Sequence, residues 1–193
     1  MSGWDALSLS TALVAVAEIG DKTQLLALCL AARWKKPLPI LLGILVATLA
    51  NHALAVGLGA LAGQWLDGPW MRWILGAAFL AFAVWALIPD GFDEAEEGRT
   101  RPARSFGGIV LATTIAFFFV EMGDKTQIAS AALGARYQDL VMVTLGTTLG
   151  MMIANAPAVL IGEAAATRLP LRWIRYGAAA LFALTGLWVL VMG

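Results

Sequence analysis

The string EIGDKTQ occupies residues 18–24, and EMGDKTQ occupies residues 121–127. Each lies inside a long apolar run, STALVAVAEIGDKTQLLALCLAA from Ser10 and TTIAFFFVEMGDKTQIASAALGA from Thr113. The offset of 103 residues does not end with the motif. It also pairs Thr11 with Thr114, Arg33 with Arg136, Gly43 with Gly146, Gly59 with Gly162, Trp70 with Trp173, Phe79 with Phe182 and Trp85 with Trp188. Matches among Ala and Leu arise by chance in apolar sequence, whereas paired Trp, paired Arg and a seven-residue polar string do not. The chain must fold as two copies of one unit.

That unit belongs in a bilayer. Of 193 residues, 60% are hydrophobic and 13% charged, and the mean hydropathy is +0.80. Soluble domains carry about twice that share of charge. The formal net charge is zero, so no basic excess exists to hold nucleic acid. A lone Cys29 forms no intrachain disulfide. The first apolar segment carries Glu18, Asp21 and Lys22, and the residues before it lack a positive n-region. It reads as a retained span rather than a cleaved signal.

A helix crosses a bilayer with about 20 apolar residues. The pattern predicts six spans, over 7–33, 38–62, 70–89, 106–135, 139–164 and 171–192. The expected fold is an all-α membrane protein: a first three-helix repeat over 1–89, an acidic loop over 90–105 and a second three-helix repeat over 106–193. Three spans is an odd number, so the repeats cross in opposite directions. Such inverted repeats are a signature of secondary transporters with a midplane site. Basic residues set the orientation. Arg33, Lys35, Lys36, Arg99, Arg101, Arg104, Arg168, Arg172 and Arg175 fall on one side, and Arg72 and Arg136 on the other. The bias predicts a cytoplasmic 90–105 loop and both termini outside.

On a continuous helix with Glu18 at zero, Asp21 falls at about 300°, Lys22 at about 40°, Thr11 at about 20° and Gln24 at about 240°. These share one face or its flank, while Thr23, at about 140°, points away. Thr114, Glu121, Asp124, Lys125 and Gln127 repeat the pattern. Gly20 and Gly123 permit close helix approach or a local break. Ionisable groups at membrane depth are costly and functional by default. If the two faces meet, Glu18, Asp21, Gln24, Glu121, Asp124 and Gln127 form an oxygen-rich site for a hard divalent cation. Neither motif contains Cys or His, which argues against Zn²⁺ or Cu⁺. Four carboxylates and two ammonium groups leave a charge that one divalent cation or two protons would neutralise.

Lys22 and Lys125 are expected to pair with carboxylates rather than act directly. Accessory candidates are Thr11, Thr114, Thr23, Thr126, Asn155 and His52. His52 aligns with Asn155, whose carbonyl oxygen suits a hard cation. The plain alternative for each motif is a set of buried ion pairs that hold helices together; its duplication at matched positions favours a site. The Trp residues near span ends read as an aromatic belt, and Asp90, Asp93, Glu94, Glu96 and Glu97 as a solvated linker.

Two copies of Glu-x-Gly-Asp-Lys-Thr, one per half and flanking an acidic loop, closely resemble the signature of the GDT1 family (UPF0016, TMEM165-like). The resemblance covers nearly the whole chain. It implies a cation/proton exchanger that moves Mn²⁺ or, in some members, Ca²⁺, with Glu18, Asp21, Glu121 and Asp124 as cation ligands. It implies no enzyme and no resident cofactor; the cation and H⁺ are cargo. A short bacterial inner-membrane manganese exporter fits this chain best, with a Ca²⁺/H⁺ antiporter using the same ligands as the nearest alternative. A homo-oligomer is a candidate assembly. Readings from other classes are an intramembrane aspartic protease, with Asp21 and Asp124 as its dyad, and a non-transporting assembly factor.

Overall fold

The computed structural model describes residues 3–65, 70–88, 105–161 and 171–192. Among them the chain is all-helical: α1 (Gly3–Glu18), α2 (Lys22–Trp34), α3 (Pro37–Trp65), α4 (Met71–Ala86), α5 (Phe106–Glu121), α6 (Lys125–Tyr137), α7 (Leu140–Ile161) and α8 (Leu171–Met192). The acidic loop, with Asp90, Asp93, Glu94, Glu96 and Glu97, lies outside the described residues, as does Gly162.

The repeat written in the sequence is repeated in the helix bounds. α5 begins and ends 103 residues after α1 does, and α6 keeps the same offset from α2. The segments over 7–33 and 106–135, expected as single spans, are each two helices. Both break at the same motif position because Gly20 and Gly123 adopt φ of 83° and 82°, a left-handed conformation that only Gly takes without strain. A Cβ on Gly123 would meet nothing within 4 Å. That glycine therefore serves the bend and not close packing. α5 and α6 are bent by 75°. Downstream, Lys35 and Gln138 both close their helices in the left-handed conformation, donating to Ala31 O and Gly134 O. Pro37 and Asp139 then start the next helices. Proline suits a first helical turn, and Asp139 Oδ1 accepts from Met142 N at 3.0 Å as an N-cap.

By length and composition, Pro37–Gln64 and Leu140–Leu160 can each cross a membrane alone, and α5 with α6 make a third span if the bent pair counts as one. Leu38, Leu42 and Val46 are exposed along α3, and their repeat mates Val141, Leu145 and Leu149 along α7. Residues four apart form one stripe on a helix. An exposed apolar stripe of this kind suits lipid.

The halves interlock rather than lie side by side. α1 packs on α7, α3 packs on α5 and α6, and α4 packs on α8. Gly43 lies over Val110 O and Thr113, where a Cβ would approach to 2.8 and 2.5 Å; its mate Gly146 lies over Leu7 O and Ser10 at 2.6 and 2.9 Å. The four partners are themselves repeat mates. Small residues at such crossings let backbones meet. Phe79 and its mate Phe182 are buried on α4 and α8, both clustered with Phe82.

Candidate metal centre

Glu18 is the last residue of α1 and Glu121 the last of α5. Asp21 and Asp124 are the N-caps of α2 and α6. Each motif therefore straddles a bend, with its Glu on one helix and its Asp, Lys, Thr and Gln at the start of the next. Glu18, Glu121 and Asp124 each bring one carboxylate oxygen within 4.8 Å of the others. All three are buried. Opposite oxygens around one hard divalent ion lie about 4–5 Å apart, so this spacing fits a single cation. Among the described residues Asp21 is outside this triad, although it is buried at 5% exposure.

The supporting contacts explain how the carboxylates are held. Thr23 Oγ1 donates to Glu18 Oε2 at 2.6 Å, and Thr126 Oγ1 donates to Glu121 Oε2 at 3.3 Å. Lys22 Nζ pairs with Asp124 Oδ1 across the two halves at 3.2 Å. Each carboxylate so commits one oxygen. Glu18 Oε1, Glu121 Oε1 and Asp124 Oδ2 are buried with no hydrogen-bond donor among the described residues. Three carboxylates and one ammonium, all ionised, would leave a charge of −2. Like charges packed this closely in a low dielectric need a cation or protons between them.

Thr23 overturns the continuous-helix reading, which pointed it away from Glu18. The bend at Gly20 resets the helical phase and returns the hydroxyl to the carboxylate. Thr11 and Thr114 lie upstream of the bends, on α1 and α5. Thr11 Oγ1 donates to Leu7 O in its own helix, and Thr114 Oγ1 donates to Gly43 O. The glutamines act as braces. Gln24 Oε1 and Gln127 Oε1 accept from Gly20 N and Gly123 N at 2.9 and 2.6 Å, which fixes each bend. Their amide nitrogens cross to the other half: Gln24 Nε2 donates to Ala154 O at 2.9 Å, and Gln127 Nε2 donates to Asn51 Oδ1.

Lys125 also reaches beyond its own motif. Its Nζ donates to Ile88 O at 3.1 Å, just past α4, and lies over the Trp85 ring at 5.8 Å. His52 and Asn155 are both fully buried. Asn155 Nδ2 donates to Met151 O at 3.1 Å. Asn51 was not among the residues singled out from the sequence. The signal available was a polar residue inside a long apolar helix, at the position whose mate is Ala154.

The model of the family described as "Divalent cation/proton antiporter GDT1" matches residues 6–94 and 109–193, one segment in each half. A Vibrio cholerae protein named "Putative manganese exporter" is 51% identical over 182 residues, which cover 94% of this chain and 88% of that protein. "GDT1-like protein 3" of Oryza sativa subsp. indica is 29% identical, covering 93% of this chain and 71% of that protein. "GDT1-like protein 5" of Arabidopsis thaliana is 28% identical, covering 92% of each. No solved structure matches the chain at a significant level.

Proposed function

The chain belongs to the GDT1 family of divalent cation/proton antiporters, and from that premise we propose that it exports Mn²⁺ from the cytoplasm in exchange for protons. The family is one of transporters and not of enzymes. The observation that carries the site is the buried triad of Glu18, Glu121 and Asp124, drawn from both halves within 4.8 Å. Glu18, Glu121 and Asp124, with Lys22 as counter-charge, bind the cation. A −2 site accepts one divalent cation or two protons and holds neither together with the other. That exclusivity is what couples the two fluxes.

The reading takes the chain as six spans in two inverted repeats, residues 1–89 and 106–193, joined by a cytoplasmic 90–105 loop, with both termini outside a bacterial inner membrane. Each bent pair, α1 with α2 and α5 with α6, counts as one broken span. Broken helices that present their ends to an ion are a transporter device. The bends at Gly20 and Gly123 are the hinges, and the cross-half braces of Gln24 and Gln127 make the halves rock together. The name of the Vibrio cholerae relative supports manganese over calcium; oxygen ligands accept both ions.

The test is flux in protein-only liposomes with Mn²⁺ or Ca²⁺, with and without a pH gradient. The expected result is saturable Mn²⁺ movement accelerated by an opposing proton gradient, and faster than Ca²⁺. Calcium faster than manganese would shift the substrate. Indifference to the gradient would remove antiport.

A further inference from the structure

His52 has no place in the account above. Its side chain is 0% exposed, and neither ring nitrogen has a hydrogen-bond partner among the described residues. Its repeat mate, Asn155, is equally buried and leaves Oδ1 without a donor among the described residues. Buried polar groups are paired in folded proteins, and each exception calls for a cause. Thr48 Oγ1, one turn before His52 on α3, and Thr148 Oγ1, two turns before Asn155 on α7, are also buried without a partner among the described residues.

The position of these residues is informative. Gln127 closes on Asn51 and Gln24 closes on Ala154. His52 and Asn155 are each the next residue along, so both stand beside a cross-half brace of the motif. The two positions are equivalent under the repeat yet differ in chemistry. One carries an imidazole and the other an amide. His52 lies outside the carboxylate triad in this conformation.

We propose that His52 supplies a nitrogen ligand to the transported cation as it passes α3, and that this ligand sets the preference for a transition-metal ion over Ca²⁺ and Mg²⁺. Imidazole nitrogen is a softer donor than carboxylate or carbonyl oxygen and favours first-row transition-metal ions, of which Mn²⁺ is the weakest binder, over alkaline-earth ions, whereas the oxygens accept both classes. An all-oxygen site discriminates weakly between Mn²⁺ and Ca²⁺; one imidazole on the path breaks the tie. Asn155 on the opposite half offers an oxygen that does not discriminate. The inference rests on the antiport reading and deepens it.

His52→Asn gives α3 the residue its mate already carries, with little change in volume. In liposome competition assays the preference of wild-type protein for Mn²⁺ over Ca²⁺ should fall by roughly tenfold in His52→Asn, the scale of losing one metal-directed contact. Pulsed EPR on Mn²⁺ bound to wild-type protein in liposomes, compared at both signs of the pH gradient, should show coupling to an imidazole ¹⁴N in one of the two states. It needs no variant, so it decides the matter even if His52→Asn fails to fold. An unchanged preference in a folded variant, or the absence of nitrogen coupling in both states, overturns the proposal. Proton-coupled Mn²⁺ flux by the wild type is measured in the same vesicles. Its presence with an unchanged preference removes only the role of His52, whereas its absence removes the antiport reading and the role of His52 with it.

Discussion

The two motifs are nearly identical in sequence and unequal in structure. Both bend at a glycine, cap the bend with a glutamine oxygen and donate from a threonine to the preceding glutamate. Lys22 reaches across to Asp124 of the second motif, and Lys125 reaches the carbonyl of Ile88 and the face of Trp85. The triad takes one carboxylate from the first motif and two from the second. Duplication therefore supplies matched parts, and packing assigns them different work. An exchanger whose halves open in turn needs that kind of inequality in any one state, because a fully symmetric site would face both sides alike.

The largest expected effect removes what the halves share. Asp124→Asn, Glu18→Gln or Glu121→Gln should each reduce proton-coupled Mn²⁺ flux by more than roughly a hundredfold, since even outer-shell partners cost about 10–100-fold in metal affinity. Thermal melting in detergent should show that these variants fold. Loss in the second-motif variants alone would break the comparison, because it would mean the first motif is only scaffold.

Next in size is the lysine contrast. Lys22→Met strips the counter-charge from a mostly buried pair and should cut transport by about tenfold or more. Lys125→Met removes the hydrogen bond to Ile88 O and the contact with Trp85 and should reduce transport less than Lys22→Met does. Equal transport defects in the two variants would erase the distinction.

A matched pair of glycine variants comes third. Gly20→Ala and Gly123→Ala should each destabilise the fold by about 1–2 kcal/mol, the cost of a left-handed backbone for an ordinary residue. The space beside Gly123 is open, so a crowding effect is not expected there. Melting curves decide this, and an unchanged transition would mean that the bends are not held by these residues.

The smallest contrast concerns the threonines. A hydroxyl donating at 2.6 Å to a buried carboxylate is in the range of charge-assisted bonds, and one at 3.3 Å is longer than that range. Thr23→Val should therefore weaken Mn²⁺ affinity more than Thr126→Val, each by about tenfold or less. Direct binding titrations would show the order, and a reversed order would sharpen which half holds the cation more tightly.

Much of the candidate site is legible in the sequence. The 103-residue offset marked two units, and apolar context made Glu18, Asp124 and their mates stand out. The angular reading failed at a definite place. A helical wheel assumes unbroken phase, and Gly20 breaks it, so Thr23 returns to Glu18. The motif contained the warning, since a glycine between two acids permits that turn. Which carboxylates converge was not legible. Asp21 and Asp124 are equivalent in sequence, yet Asp124 alone of the two joins the triad, because that depends on the angle between packed helices. The role of Asn51 was hidden for a similar reason: its partner, Gln127, lies 76 residues away in the other half.

The central claim is that two motifs make one site. The count of Mn²⁺ ions bound per chain at saturation, by isothermal titration in detergent, addresses it directly. One ion per wild-type chain is predicted, with that single event lost in Glu18→Gln and lost equally in Glu121→Gln. Two ions per chain, with each variant deleting only one, would contradict it.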